Sequence, residues 1–220
     1  MSEATPGLEV SPWWGIWFQP RQTFRWLVDT DPKLHFWVLA VFYGLVRVFS
    51  WSIQMGVGDV FQPAEVAVFM LVAGPLAGVF GIFVTAGLLQ IVGRVFGGQA
   101  KGQQLRAVLA WSAVPMNVLT FVGVFPLLTM FGSRVFVPSD PRVASILYGS
   151  GIGANFLGSG LMAWWTILET AGALYYLVVA VIGYAEVQQF GIWKAVGTFF
   201  IAVGALMLVA LCLALIGAPI

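Results

Sequence analysis

VAVFMLVAGPLAGVFGIFVTAGLLQIVG, residues 66–93, carries no charged side chain and no alternation of apolar with polar residues. A helix rises 1.5 Å per residue, so about 20 residues cross a hydrocarbon core about 30 Å thick, and this stretch is longer than that. A barrel strand would show a period of two, and a continuous apolar run does not. Inside lipid a lone segment satisfies its backbone only as a helix. Four further runs of the same kind, residues 34–55, 105–131, 161–185 and 193–216, accompany it. The sequence predicts an all-α polytopic membrane protein with five transmembrane helices.

Composition agrees. Of 220 residues, 60% are hydrophobic and only 9% charged, with a mean hydropathy of +0.94. A soluble domain covers itself with roughly 25% charged residues, so a water-soluble enzyme, a disordered chain and a disulfide scaffold are excluded. The net charge of +1 gives no basic face for nucleic acid. The single cysteine, Cys212, can form no internal disulfide.

Residues 1–33 read as a cytoplasmic N-terminal segment and 34–220 as the membrane domain. The first has no signal-peptide pattern. Trp13-Trp14-Gly15-Ile16-Trp17-Phe18 is too short to span and suits the headgroup layer. Pro20 can open a helix at the position where its missing N–H costs nothing. Phe24, Leu27 and Val28 then share a face, with Arg21, Arg25 and Asp29 turned elsewhere. Residues 20–29 are therefore expected to lie on the membrane as an amphipathic helix, with Pro20, Arg21, Phe24 and Arg25 as its interfacial motif. Residues 143–168 carry no charge, so the fourth helix could start earlier, but Gly149, Gly151, Gly153, Gly158 and Gly160 crowd the stretch; residues 132–160 therefore read as a loop with a re-entrant or interfacial part, and a sixth span is the competing topology.

Lys and Arg in short loops set orientation. With the N-terminus in the cytoplasm, Arg21, Arg25, Lys33, Arg94, Lys101, Arg106 and Lys194 lie inside, and only Arg134 and Arg142 outside. The expectation is a cytoplasmic-membrane protein with its N-terminus inside and its C-terminus outside.

Arg47 falls within the first span. A charge at the centre of a span costs about 2.5–3.5 kcal/mol on insertion scales and calls for a partner. It sits about 20 Å from the inner edge and about 10 Å from the outer one. Glu169, in the inward-running fourth span, lies about 12 Å from the outside. The similar depths predict an ion pair joining the first and fourth spans, read first as structural and alternatively as a polar switch or part of a substrate path. Gly74, Pro75 and Gly78 in the second span offer a small-residue face with a kink, continued by Gly81, and small residues let helix backbones approach closely in lipid. Pro115, Asn117 and Pro126 are expected to break the third span, Asn117 being a candidate for an interhelical hydrogen bond.

Two blocks resemble the Yip1 family of five-span membrane proteins, in its bacterial branch. One is Pro20-Arg21-Gln22-Thr23-Phe24-Arg25, shortly before Asp31-Pro32. The other is Gly93-Arg94-Val95-Phe96-Gly97-Gly98-Gln99-Ala100, followed by Leu105-Arg106-Ala107-Val108 and Ala110-Trp111-Ser112-Ala113-Val114-Pro115. The resemblance implies the five-span order over nearly the whole chain. Eukaryotic members are linked to small GTPases through long cytosolic regions. This chain has about 33 residues there, by the reading of the spans, and no Asp-Leu-Tyr-Gly-Pro type motif, so no GTPase binding is carried over.

Several lookalikes fail on chemistry. Gly56-Val57-Gly58-Asp59 matches an intramembrane aspartyl-protease string, but that chemistry needs two aspartates sharing a proton, and no other Asp lies in a span. Gly149-Ser150-Gly151-Ile152-Gly153-Ala154 lacks the strand a dinucleotide fingerprint requires. Ser150 and Ser159 lack a base, since the one histidine, His35, starts the first span. No metal set and no cofactor are expected. Trp37, Trp164, Trp165 and Trp193 read as interface anchors, and Tyr175, Tyr176 and Tyr184 as anchors or interhelical bonds. The expected role is a non-enzymatic scaffold or organiser in the lipid bilayer, acting through self-association as a homo-oligomer or through another membrane protein. The alternative is a small transporter or lipid-handling protein using Arg47 and Glu169.

Overall fold

The structure is a computed structural model and describes residues 11–141, 143 and 154–217. Its helices are α1 (Pro12–Phe18), α2 (Pro20–Thr30), α3 (Phe36–Gln54), α4 (Pro63–Val95), α5 (Gly102–Phe131), α6 (Ala154–Gln188) and α7 (Ile192–Gly217), with short 3₁₀ turns at Val57–Asp59 and Gly132–Phe136. Among the described residues there is no strand. Four helices, α3 to α6, are long and apolar enough to cross a membrane, and α7 is apolar over Ile192–Leu208. The chain is an all-α polytopic membrane protein.

The helix boundaries follow from local chemistry. Pro63 begins α4, and the Glu65 carboxylate accepts the Gln62 N–H at 2.8 Å, a capping box that occupies a donor the helix leaves over. Gln104 does the same for Lys101 N–H at the start of α5, at 2.9 Å. Helix α4 ends because Gly97 adopts φ +81°, which lets Gly97 N–H reach Arg94 O at 2.9 Å and Gly98 N–H reach Gly93 O at 2.8 Å. This is the Schellman arrangement that satisfies the last carbonyls. Helix α2 stops at Asp31, which is extended ahead of Pro32.

Two sequence expectations change here, and a third is not reached. Helix α6 starts at Ala154, seven residues before Leu161, so the stretch read as a loop through 160 ends earlier. Gly158 and Gly160 are helical despite a cost of about 1 kcal/mol each, because hydrocarbon leaves a backbone no alternative to its own helix bonds. The proposed re-entrant or sixth segment and the Gly149–Ala154 string fall mainly on 144–153, outside the described residues. Pro115 and Pro126 do not break the third span, since α5 runs through them as a continuous helix, and α4 likewise continues through Pro75. A proline removes one N–H, and neighbouring groups can make up that loss in a transmembrane helix.

The chain forms two compact units. The first unit holds the described residues of Met1–Phe36, Phe80–Ser112 and Leu177–Ile220. Its fully buried side chains include Phe24, Leu27, Leu89, Leu105, Trp111 and Tyr184. The second unit holds Trp37–Val79 and the described part of Ala113–Tyr176. Ile53, Val66, Val124, Leu127, Phe136 and Trp165 form a core there. Trp165 is thus buried against protein, whereas Trp164 is exposed. In the same unit the Gly56–Asp59 turn is a structural staple: Asp59 accepts the backbone N–H of Ser139 at 3.3 Å and its hydroxyl as well.

Candidate functional sites

In the second unit, Tyr43 and Arg47 lie one helical turn apart on α3, and Glu169 and Tyr176 two turns apart on α6. Arg47 Nη1 stands 3.4 Å from Glu169 Oε1, and the Tyr43 and Tyr176 rings stack with centroids 6.5 Å apart at 13°. The contact is single and loose. The Arg47 side chain is 42% exposed against 19% for Glu169. Arginine has five donors, and one contact of this length leaves most of them uncommitted.

The small residues of α4 are spent inside the chain. A Cβ on Gly78 would stand 2.7 Å from Gly44 Cα, one on Gly44 2.6 Å from Gly78 Cα, and one on Gly74 2.9 Å from Leu45 Cα. Ordinary carbon contacts lie near 3.5–4.0 Å, so α3 and α4 cross backbone against backbone here. A Cβ on Gly81 would meet nothing within 4 Å among the described residues. Asn117 is fully buried, but its Oδ1 has no partner among the described residues, and the same holds for the Ser50, Ser52 and Thr120 hydroxyls in this unit.

The first unit gathers what the sequence left scattered. The apolar face of α2, expected to rest on lipid, is buried in protein: Thr23, Phe24 and Leu27 are fully inaccessible. The Phe24 ring occupies space that Gly183 of α6 vacates, since a Cβ there would lie 2.7 Å from Phe24 Cε2 and from Val108 Cγ1. Arg25 Nη2 contacts Glu186 Oε1 at 2.6 Å, Arg25 Nε donates to the same oxygen at 2.8 Å, and Arg21 Nε lies 3.5 Å from Oε2. Pro20, Arg21, Phe24 and Arg25 are therefore one docking device, in which proline sets the helix start, phenylalanine fills a socket and two arginines share a carboxylate.

Two residues beyond Glu186, Gln188 does the equivalent for the α4–α5 turn. Its Oε1 accepts Ala100 N–H at 3.0 Å and its Nε2 donates to Leu89 O at 3.4 Å, while Tyr184 hydroxyl donates to the same carbonyl at 3.3 Å. Gly93 and Gly98 leave room for this amide, because a Cβ on either would collide with it. Nearby, Trp111 Nε1 donates to Leu34 O at 3.1 Å, and His35, at φ +55°, packs against Trp13 and Trp111. The Arg106 guanidinium lies 4.3 Å from the Phe83 ring centre, a cation–π contact.

The sequence reading missed Glu186 and Gln188. A signal existed: Glu186 is the only acid after Glu169, and it follows directly on a span that ends on the side assigned to Arg21 and Arg25.

Both blocks that resemble Yip1 thus meet at the C-terminal end of α6. The Yip1 domain profile matches residues 14–214, nearly the whole chain. The chain belongs to the Yip1 family. Comparison with curated proteins finds no match, and comparison with solved structures finds none. The Yip1 blocks in this chain act as packing devices: glycines admit a side chain, and a buried amide ties a turn.

The clasp carries a prediction. Gln188→Leu leaves the buried Ala100 N–H without its acceptor, which costs about 1–3 kcal/mol. Hydrogen exchange should show the Ala100 amide opening faster than the helical amides of α5, and unchanged protection there would contradict the clasp.

Proposed function

We propose that this Yip1 protein is a non-enzymatic membrane organiser of the cytoplasmic membrane, N-terminus inside and C-terminus outside. The observation that carries the reading is the docked N-terminal pair of helices. Helix α2 is locked to α6 through Phe24 and Glu186, while α1 buries Gly15 and Ile16 and leaves Trp14 and Phe18 exposed. Such a cap holds an aromatic edge at a fixed place where the headgroup layer meets the protein. Because Gly44, Gly74 and Gly78 are consumed within the chain, contacts to a second copy or another membrane protein fall to other faces. Helix α7 supports one: Gly197 and Gly204, two turns apart, meet nothing within 4 Å among the described residues, and Phe200, Ile201 and Leu208 beside them are exposed.

The cap is tested with Phe24→Ala. Truncating a buried phenylalanine costs about 3–5 kcal/mol, more than a surface ion pair of about 0–1 kcal/mol can offset. Limited proteolysis should cut within 19–31 in the variant and spare the wild type, and crosslinking in membranes should lose the wild-type partner pattern. A variant that is cut but keeps every crosslink separates the cap from association and sinks the organiser reading.

A second reading is favoured by one observation, the half-exposed Arg47 with donors to spare. In it the Arg47–Glu169 region forms the polar path of a small transporter or lipid-handling protein. It requires flux or lipid translocation in liposomes, abolished by Arg47→Gln while folding is retained.

A further inference from the structure

Seven of the ten Lys and Arg residues belong to the first unit: Arg21, Arg25, Lys33, Arg94, Lys101, Arg106 and Lys194. Three are set aside: Arg21 and Arg25 are paired with Glu186, and Arg106 is partly buried over Phe83. The other four are exposed, and none has an ion-pair partner among the described residues; Lys33 stands apart, ahead of α3, and leaves Arg94, Lys101 and Lys194. They come from two different turns. Arg94 ends α4 and Lys101 precedes α5, whereas Lys194 opens α7. The Gln188 amide joins these turns, because it holds Ala100, next to Lys101, and lies six residues before Lys194. The Lys194 ammonium rests 4.5 Å from the Phe190 ring centre, which fixes the chain on its side of the clasp.

The surroundings indicate what these cations meet. Beside Lys194, Trp193 is 85% exposed, and beside Arg94, Val95 is 78% exposed with Phe96 also open. A cation next to a bare tryptophan or valine at the end of an apolar helix suits the boundary where phosphates overlie acyl chains. Free water would leave the apolar neighbours unsatisfied, and hydrocarbon would strand the charges. We infer that Arg94, Lys101 and Lys194, gathered by Gln188, form a binding site for the phosphate-bearing headgroup of an anionic phospholipid. The site requires only the membrane-spanning fold and is independent of the organiser role.

Purified full-length protein in neutral detergent is titrated with phosphatidylglycerol, with phosphatidylcholine of the same acyl chains and with inorganic phosphate, and the melting midpoint is followed. Phosphatidylglycerol raises the midpoint saturably and less so at high salt, whereas the other two leave it unchanged. Juxtamembrane cations each contribute to binding anionic lipid, so each of Arg94→Gln, Lys101→Gln and Lys194→Gln weakens apparent affinity about fivefold and the triple variant about 100-fold. Arg134→Gln, in the other unit, changes nothing. Equal shifts with phosphatidylcholine overturn the site. A shift with inorganic phosphate alone shows a free-anion site and overturns the lipid assignment. If the triple variant does not fold, the single variants decide, and three unchanged affinities overturn it.

Discussion

Gly78→Ala should lower stability by about 3 kcal/mol, the upper end of the usual cost of overpacking. The added methyl would meet Gly44 Cα at 2.7 Å and the Ala40 carbonyl oxygen closer still. Both are backbone atoms, so no side chain can rotate away, and α3 and α4 must separate along their whole crossing. In lipid that crossing is held by close packing, since apolar surface gains nothing by leaving hydrocarbon. The expected readout is a fall of about 6–12 °C in the melting midpoint of the detergent-solubilised protein. Gly44→Ala should do the same from the other helix. Gly81→Ala is the control: its Cβ would meet nothing within 4 Å, and replacing a mid-helix glycine with alanine gains up to about 1 kcal/mol. A Gly78→Ala protein that melts with the wild type would show that the helices are not in backbone contact.

Glu169→Gln should be about as damaging, and for an electrostatic reason. It leaves Arg47 with no counter-charge within the span, at a cost of about 2.5–3.5 kcal/mol. Arg47→Gln leaves Glu169 equally stranded. The double variant removes both charges and should recover much of the loss, because burying no charge is often as good as burying a matched pair. Thermal melting of the four proteins gives the coupling directly. Additive losses would mean that the 3.4 Å approach of Arg47 to Glu169 contributes no pairing energy. Flux that survives in the double variant would further remove these charges from any transport path.

The α2 helix shows where sequence reasoning reaches its limit. Its periodicity correctly grouped Phe24 with Leu27, because helical geometry fixes which side chains share a face. Periodicity cannot tell whether that face meets lipid or protein, since both are apolar. The deciding residue is Gly183, 159 positions away and without a side chain to advertise the socket it leaves. Trp165 is a parallel case. Its sequence neighbourhood matches an interface anchor, and its burial depends on Val124, Leu127 and Val135, which only the fold brings near.

What the amino-acid sequence determined alone was the all-α membrane class, the order of the apolar helices and the family. The class and the helix order follow from the uniform cost of an unsatisfied backbone and of charge in hydrocarbon, which acts on each segment independently of its neighbours, and the family from the resemblance of the 20–25 and 93–115 blocks. Tertiary structure alone decided that Gly44 and Gly78 meet each other, that Glu186 holds two arginines and that Gln188 ties one turn to another. Those outcomes depend on close approach between distant segments, where a missing Cβ or one amide matters more than any local pattern.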